Sequence, residues 1–450
     1  MAGPETATSP EERARAAATA DIARLAQRAA ALQLDQIPPA TRKHAAVVLA
    51  DTVGVIMGGS LQEEIAQLCA GDALLEPPRD GPSQILRPDL PRADPQRAAF
   101  VNATAGTFLE LDEGYRPTGH PAIHVIPAAL AAAQALHRSG AALLAAIVSG
   151  YEVAARLFEA YRLTYPVHPH GHLGAVGAAV AVASLRGVGA DEPARIASTL
   201  PLLTVWEPCF EGATVRNAFA GVASAVGVLA NRLAAAGFKG SREAQAVTFG
   251  QLAGSLQSPS VLSEPVTIGD LRIQRDYLKL HSACALSHTA LDAVLALEVD
   301  VAEVESVLVE TVANNLKLDR QAQANALSTR FSLPYAVAAA IIHGHTRPAA
   351  FAPDERVQAL ARRVTVRGAP DLESQWPSSS PARVTVRLRG GGSRCQRADN
   401  PRGHHANPAS DEELRQKFAT LSWARDPDAL RSRLLAVEGE LDCAAIFNGL

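Results

Sequence analysis

The sequence predicts a mainly α-helical protein with an inserted α+β lid. Three observations support this fold class. Between residues 97 and 262, Ala, Leu and Val recur at three- and four-residue spacing with short Gly or Pro breaks, which is typical of packed helices. After about residue 265, short β-branched runs replace this spacing. Helical spacing returns beyond about residue 400.

The chain has 450 residues. This is too long for one ordinary core, so we expect two domains or one large body with an insertion. We place the helical domain at residues 10–267, and we expect the chain to return to it at residues 400–450. The α+β lid should occupy residues 268–399 between these two parts.

The N-terminal part should begin with a disordered lead that ends near residue 10. Helical spacing then runs from residue 11 towards residue 34, and it resumes over residues 41–57 after two prolines. A segment rich in Gly, Pro and Asp predicts a loop over residues 71–95.

The lid should contain a sheet, because three short β-branched runs follow one another. These runs are residues 307–312, 364–367 and 384–388, and the last ends in a triple-glycine turn. Residues 333–343 read as a helix between them. Further on, Ser410-Asp-Glu-Glu413 is a capping-box signature that should open a helix over residues 414–421, and another helix is expected over 427–437.

Composition excludes several classes of protein. The chain is 48% hydrophobic and 20% charged, as in ordinary globular proteins. A net charge of −4 without long basic runs argues against nucleic acid as a partner. The N-terminus does not read as a signal peptide, and apolar runs such as residues 141–148 read as too short to span a bilayer. We therefore expect no membrane partner.

Five scattered cysteines indicate reduced thiols rather than a disulfide framework. Their odd number and wide spacing also argue against an iron–sulfur cluster. Together these observations predict a cytoplasmic protein.

Three polar islands interrupt the apolar sequence. The first spans residues 110–121, the second residues 168–174 and the third residues 279–288. They contain carboxylates, imidazoles, an amine and a thiol, which are the groups that move protons in enzymes. We expect the three islands to form one site.

The first island holds Asp112 and His120 on either side of a loop broken by Gly and Pro. An acid near a histidine raises the imidazole pKa and fixes its tautomer, which suits acid–base catalysis. The alternative is a solvated loop with surface charge.

Two arginines are candidates for binding carboxylates. Arg116 lies in the first island, and Arg216 lies in a segment of Ala, Gly and Val. The alternative for Arg216 is an ion pair with a neighbouring acid such as Glu207 or Glu211.

The second island, His168-Pro-His170-Gly-His172, has alternate histidines that could bind zinc or nickel on a strand. Its Pro and Gly predict a loop before a helix instead, so we expect no metal. His168 is the catalytic candidate, and His170 and His172 should be supporting or structural.

In the third island, Lys279 could stabilise negative charge that develops on a substrate, or it could be an exposed lysine. Cys284 could donate or accept a proton, or it could be a small buried hydrophobe. Tyr335, at the start of an apolar helix, could donate to substrate or be a core aromatic with a satisfied hydroxyl.

The order and spacing of several short motifs resemble the MmgE/PrpD family over residues 20–418. The motifs are Glu110-Leu-Asp112-Glu-Gly-Tyr-Arg116 before His120-Pro121, His168 before Gly174-x-x-Gly177, Lys279-x-x-x-x-Cys284-x-x-x-His288 and Phe331-Ser-x-x-Tyr335.

This resemblance implies a cofactor-independent homodimer with a helical domain and a lid. It implies a small di- or tricarboxylate substrate and abstraction of a proton next to a carboxylate. Residues matched to the family's motifs or placed in the islands are expected to catalyse the reaction or to bind substrate. The catalytic set is Asp112, His120, His168, Lys279, Cys284 and Tyr335, and the substrate-binding set is Arg116, Arg216 and His288.

Three positions depart from branches of this family. Gly114 and Arg216 replace a threonine and a lysine of the dehydratase and decarboxylase branches, and Cys284 replaces a histidine of the decarboxylase. These changes count most against decarboxylation of cis-aconitate. We expect a dehydratase resembling 2-methylcitrate dehydratase, with an isomerase of the iminodisuccinate epimerase type as the alternative. A decarboxylase, a zinc hydrolase and a non-catalytic scaffold are less expected.

Overall fold

The computed structural model describes residues 9–70, 80–321 and 324–450. Over these residues the protein is mainly α-helical with a few small sheets, as the sequence predicts. The expected disordered lead falls mostly on residues 1–8, which lie outside the described residues. The same holds for residues 71–79 of the expected loop.

Most of the helices come before the main sheet, because the alanine-rich pattern between residues 97 and 262 is helical almost throughout. The described helices of this part are α1 (Pro10–Ala30), α2 (Pro39–Gly59), α3 (Glu63–Ala70), α4 (Pro95–Thr107), α5 (Pro121–Ala135), α6 (Gly140–Ala160), α7 (Leu173–Arg186), α8 (Asp191–Thr199), α9 (Glu207–Glu211), α10 (Ala218–Ala235), α11 (Ala244–Val247) and α12 (Ser260–Ser263).

Short strands interrupt these helices at places where the sequence analysis expects helix or loop. They form three two-stranded ribbons: β1 (Ser83–Gln84) with β2 (Arg92–Ala93), β3 (Gly114–Tyr115) with β6 (Asp276–Tyr277), and β4 (Tyr161–Leu163) with β5 (Gly254–Leu256).

The second part of the chain is built on a four-stranded sheet. Its strands are β7 (Val304–Thr311), β8 (Val364–Gly368), β9 (Ala382–Leu388) and β10 (Ser393–Ala398), in the order β10-β9-β7-β8. Only β7 and β8 are parallel. The three predicted strands are confirmed, and the triple-glycine turn leads into β10.

Helices α13 (His288–Leu295), α14 (Ala326–Arg330), α15 (Leu333–His343), α16 (Glu355–Ala361) and α17 (Pro370–Glu373) accompany this sheet. The predicted helix over residues 333–343 is confirmed as α15. Apolar side chains of α13, α15 and α16 pack with those of β7, β8 and β9 in one buried cluster. We call this part the sheet lobe and the part before it the helical lobe.

The chain returns to the helical lobe through α18 (Asp411–Leu421) and α19 (Pro427–Leu435). The predicted capping box is confirmed, since Ser410 and Glu413 each bond the other's backbone N–H. Phe418 of α18 lies against Gly54 of α2, where an added Cβ would come within 2.8 Å of the ring. Phe418 is buried in the same apolar cluster as α2, α4, α5 and α6.

Two stretches of helix have the length and apolar composition of a membrane span: α6, and the run Thr214–Ala235. The bent pair α2 and α3 would add a third if it formed one span. Within the protein, 89% of the 18-residue apolar stretch of α6 is buried, and 56% of the corresponding stretch of Thr214–Ala235 is buried. The apolar run at residues 141–148, which reads as short in the sequence, is thus part of a 21-residue helix.

Close contact between α2 and α4 yields a stability prediction. An added Cβ on Gly59 would lie 1.8 Å from the carbonyl oxygen of Ala105, so Gly59→Ala should force the helices apart at a cost of about 1–3 kcal/mol. Thermal melting followed by circular dichroism should show a lower midpoint. Gly269→Ala is the control, because a Cβ there meets nothing within 4 Å. Equal midpoints for the two variants would contradict this packing.

Candidate active site

The β3–β6 ribbon brings the first and third polar islands together. Gly114 pairs with Tyr277 and Tyr115 with Asp276 in antiparallel register. Continued by two residues, the same register sets Asp112 opposite Lys279. Two short segments that lie more than 150 residues apart in sequence are thereby aligned side by side.

Asp112 and Lys279 form a fully buried ion pair. Oδ1 of Asp112 lies 3.1 Å from Nζ of Lys279. Burial alone would raise the pKa of Asp112, but Lys279 and His120 outweigh it and hold that pKa below its usual value. Burial would likewise lower the pKa of Lys279, but Asp112 and Glu110 raise it above its usual value. Both groups are therefore charged at neutral pH.

His120 caps the N-terminus of α5 and shows a defined tautomer. Its Nδ1 lies 2.7 Å from the carbonyl oxygen of Glu113 and 3.1 Å from Oδ2 of Asp112. A carbonyl and a carboxylate only accept hydrogen bonds, so Nδ1 carries the proton. The neutral ring then has an unprotonated Nε2, which is the form a general base needs.

Two further histidines, His124 and His170, contact each other and His120. Nδ1 of His124 donates to the carbonyl oxygen of His120 at 2.7 Å, which leaves its Nε2 to accept from Nδ1 of His170 at 3.2 Å. Burial lowers the pKa of His124 to about 3 and holds that of His170 well below its usual value, so both are neutral. The ring of His170 stacks on His120 at 4.3 Å, and its Nε2 faces Asp112 at 3.7 Å.

His168 has the opposite tautomer to His120. Its Nδ1 accepts the backbone N–H of His170 at 3.1 Å. Burial, helped by the charge of Arg216, holds the pKa of His168 well below its usual value. The neutral ring must therefore carry its proton on Nε2. His168 is a hydrogen-bond donor rather than a base.

The loop that carries His168 is fixed by several contacts. Its backbone N–H donates to the carbonyl oxygen of Thr204 at 2.9 Å. The Thr204 hydroxyl donates back to the carbonyl oxygens of His168 and His170. Nε2 of His172 donates to the carbonyl oxygen of His168 at 2.7 Å. His172 is therefore structural, as expected.

Arg216 forms an ion pair with Glu110, not with Glu207 or Glu211. Both side chains are buried, and the guanidinium lies 5.0 Å from the ring centre of Phe331. Glu110 has a left-handed backbone with φ of +52°. Burial would lower the pKa of Arg216, but Glu110 raises it above its usual value.

These groups surround a cavity whose empty volume, including space open to solvent, is about 540 Å³. The predicted residues at its wall are Arg116, His120, His168, Arg216 and Cys284. Asp112 and Lys279 are not among the lining residues and lie behind the wall. They act on the cavity through His120, so we describe them as positioning residues.

Cys284 lines the cavity as a neutral thiol. Burial, with a further contribution from Glu110, raises its pKa to about 11. Arg116 lies near it, over the ring of Tyr277 at 5.6 Å, with Nη2 at 3.5 Å from the carbonyl oxygen of Ala285.

Two predicted site residues lie elsewhere. The hydroxyl of Tyr335 donates to the carbonyl oxygen of Ala352 at 2.7 Å and accepts from the N–H of Asp354 at 3.0 Å, away from the cavity. Nε2 of His288 donates to a backbone carbonyl and Nδ1 accepts from the hydroxyl of Tyr277. Tyr335 is thus a satisfied core aromatic, and His288 holds Tyr277, which lines the cavity, instead of contacting substrate.

The loop that carries Asp112 is also held from the C-terminal return. Nζ of Lys417 in α18 lies 2.7 Å from Asp51 of α2 and 3.0 Å from the carbonyl oxygen of Leu111. Lys417, Asp51 and Leu111 come from three different segments of the chain. The backbone next to Asp112 is therefore held by the lysine of a buried ion pair.

Sequence reasoning missed Glu110 as the partner of Arg216, and it missed His124 and Lys317 altogether. His124 lies four residues after His120 on α5, so their shared face was a usable signal. Lys317, a cavity residue, lies just after β7 in a segment without a motif. Only the packing of the two lobes reveals it.

The zinc alternative is not favoured by this geometry. His172 has both ring nitrogens engaged, so the triple-histidine loop does not converge on one point. A different group, Asp112, His120 and His170, offers ligand atoms within 4.8 Å of one another. The ammonium of Lys279 on the same carboxylate would repel a cation, so this group favours proton transfer.

Comparison with known proteins assigns the chain to a family. Residues 23–261 match the MmgE/PrpD N-terminal domain, and residues 281–441 match the MmgE/PrpD C-terminal domain. Cis-aconitate decarboxylase of Homo sapiens is 27% identical over 368 residues, covering 75% of each chain. The Mus musculus enzyme of the same name is 26% identical over 377 residues, covering 78% of this chain and 77% of its own. The protein belongs to the MmgE/PrpD family, whose members are enzymes that act on small carboxylates.

Proposed function

We propose that the protein is a cofactor-independent lyase of the dehydratase type, acting on a small di- or tricarboxylate. The observation that carries this proposal is the tautomer of His120. Its Nδ1 proton is held by the Glu113 carbonyl and by Asp112, which leaves an unprotonated Nε2 on a ring that lines the cavity. A base of this kind removes a proton alpha to a carboxylate.

The remaining groups suit the later steps of that reaction. Removal of an alpha proton places negative charge on the adjacent carboxylate, and fixed donors stabilise it. Arg116 and Arg216 line the cavity as cations, and the Nε2 proton of His168 adds a neutral donor. Loss of hydroxide from the neighbouring carbon requires a proton, for which the neutral thiol of Cys284 is a candidate donor, while His168 can hydrogen-bond to the leaving hydroxyl.

An isomerase is the second candidate, and Cys284 is the observation that favours it. A neutral thiol in the same cavity as the His120 base could return a proton to the opposite face of the carbanion. Gly114 adds to this, since it supplies no hydroxyl where a threonine would bind a leaving group. The first step is the same for both reactions.

The reaction can be identified by proton NMR in D₂O with 2-methylcitrate, citrate, cis-aconitate and iminodisuccinate. Loss of water with new alkene signals would support the dehydratase, and deuterium would enter the remaining substrate where proton abstraction is reversible. Deuterium entering with inversion would support the isomerase. Loss of CO₂ would make the activity that of the two decarboxylase relatives. Neither exchange nor product with any of the four would contradict the proposal.

Replacing the base should remove this exchange. His120→Gln should lower the rate of alpha-deuterium incorporation by about 10²–10⁴-fold, the usual contribution of a general base. His137→Gln is the matched control, because His137 is an exposed histidine paired with Asp442. Equal rates in the two variants would reject His120 as the base.

The role of Cys284 as an acid requires that it stay protonated, and this predicts its reactivity. Because its pKa is raised to about 11, the thiolate is scarce below that pH and forms as the pH rises towards it. Iodoacetamide at pH 8 should modify the exposed Cys395 while Cys284 stays largely free, as read by peptide mass spectrometry. Modification of Cys284 as fast as Cys395 at pH 8 would contradict this assignment.

A further inference from the structure

Two cations at the cavity, Arg116 and Lys317, have no acidic partner among the residues that the structure describes. The other two cations of the site are each paired with a buried carboxylate: Arg216 with Glu110, and Lys279 with Asp112. The site therefore carries two positive charges in excess of its own carboxylates. An excess of this kind is complementary to a ligand with at least two negative charges.

Lys317 reaches the cavity from the sheet lobe. It lies on the 3-10 turn Ala313–Leu318 that follows β7, and its ammonium lies 5.0 Å from the ring centre of Trp206. Nζ donates to Oδ1 of Asn314 at 3.0 Å. This bond uses one of the three donors of the ammonium group. The aromatic ring and the amide thus hold the charge in place without neutralising it.

Asn314 supplies a second, independent observation. It lines the same cavity, and its Nδ2 is buried without a hydrogen-bond partner. Such buried donors are normally satisfied, so an orphan at a cavity wall points to a missing acceptor. Oδ1 of the same amide accepts from Lys317, so the amide donor and the ammonium belong to one bonded pair of side chains at the cavity. A carboxylate accepts from two neighbouring donors of this kind.

We propose that Lys317 and Asn314 bind the substrate carboxylate that lies farther from His120. This subsite rests on the proposed function, which places the reacting carbon at His120. Arg116 lines the same cavity as His120 and is available for another carboxylate of the substrate. The subsite makes the protein select dicarboxylates and tricarboxylates over monocarboxylates, and it makes the sheet lobe contribute to substrate choice.

Binding of inert carboxylates tests the subsite without turnover. Glutarate and pentanoate have five carbons each and differ in the second carboxylate. Isothermal titration calorimetry should show tighter binding of glutarate by the wild-type protein. Lys317→Met should weaken glutarate binding by about tenfold or more, the loss of one charge-assisted contact, and should change pentanoate binding by less than about threefold.

Two further variants complete the design. Asn314→Asp keeps the side-chain shape but places a carboxylate against Lys317, so it should also remove the preference for glutarate. Lys239→Met is the control, because Lys239 is exposed and does not line the cavity. Its partner is Glu192 at 3.5 Å. Melting curves of all variants should match that of the wild type.

A preference for glutarate that survives both Lys317→Met and Asn314→Asp would overturn the subsite. Binding of neither acid by the wild-type protein would overturn it as well. If the subsite is right and the proposed function is wrong, glutarate would bind through Lys317. None of the four candidate substrates would then give product or take up alpha deuterium.

Discussion

The buried ion pair between Asp112 and Lys279 is the interaction on which the rest of the site depends. It joins the helical lobe to the segment that leads into the sheet lobe, and the β3–β6 register sets the two residues opposite each other. Both charges are fully buried. Removing one partner of such a pair leaves an uncompensated charge, which costs about 3–5 kcal/mol. The ribbon register and the pair therefore support each other.

A series of hydrogen bonds beside Asp112 fixes the ring orientations of the histidines of the site. The carbonyl oxygen of Glu113 fixes the His120 tautomer, the carbonyl of His120 fixes His124, and His124 fixes His170. The backbone of His170 in turn fixes His168 with the opposite tautomer. The imidazoles of the site thus acquire distinct roles, one as a base and one as a donor, without any difference in residue type.

Much of this arrangement is readable in the sequence, because it depends on local signals. Helical spacing, β-branched runs and the Ser410 capping box predict the elements, and the three polar islands contain most residues that line the cavity or lie directly behind it. The contacts of the Tyr335 side chain are an example of what local sequence signals do not predict. Ser332 caps α15 and so sets where the helix begins, but packing of the helix in the sheet lobe turns the tyrosine hydroxyl towards residues 352–354. A motif match carries no information about that rotation.

The contacts of Glu110 and Lys317 could not be predicted from the sequence, although Glu110 lies within the first polar island. Whether a charge is solvated, paired or directed into a cavity depends on tertiary contacts between distant segments. Glu110 is buried because Arg216, more than 100 residues away, reaches it. Lys317 contacts Trp206 and Asn314 and has no acidic partner within the described ranges 9–70, 80–321 and 324–450.

Ring-nitrogen NMR tests most directly whether His120 presents an unprotonated Nε2. Protein labelled with ¹⁵N-histidine gives long-range ¹H–¹⁵N correlations that report which nitrogen carries the proton, and His120→Gln and His168→Gln spectra assign the two rings. We predict the proton on Nδ1 of His120 and on Nε2 of His168. A proton on Nε2 of His120 in the resting protein would contradict it.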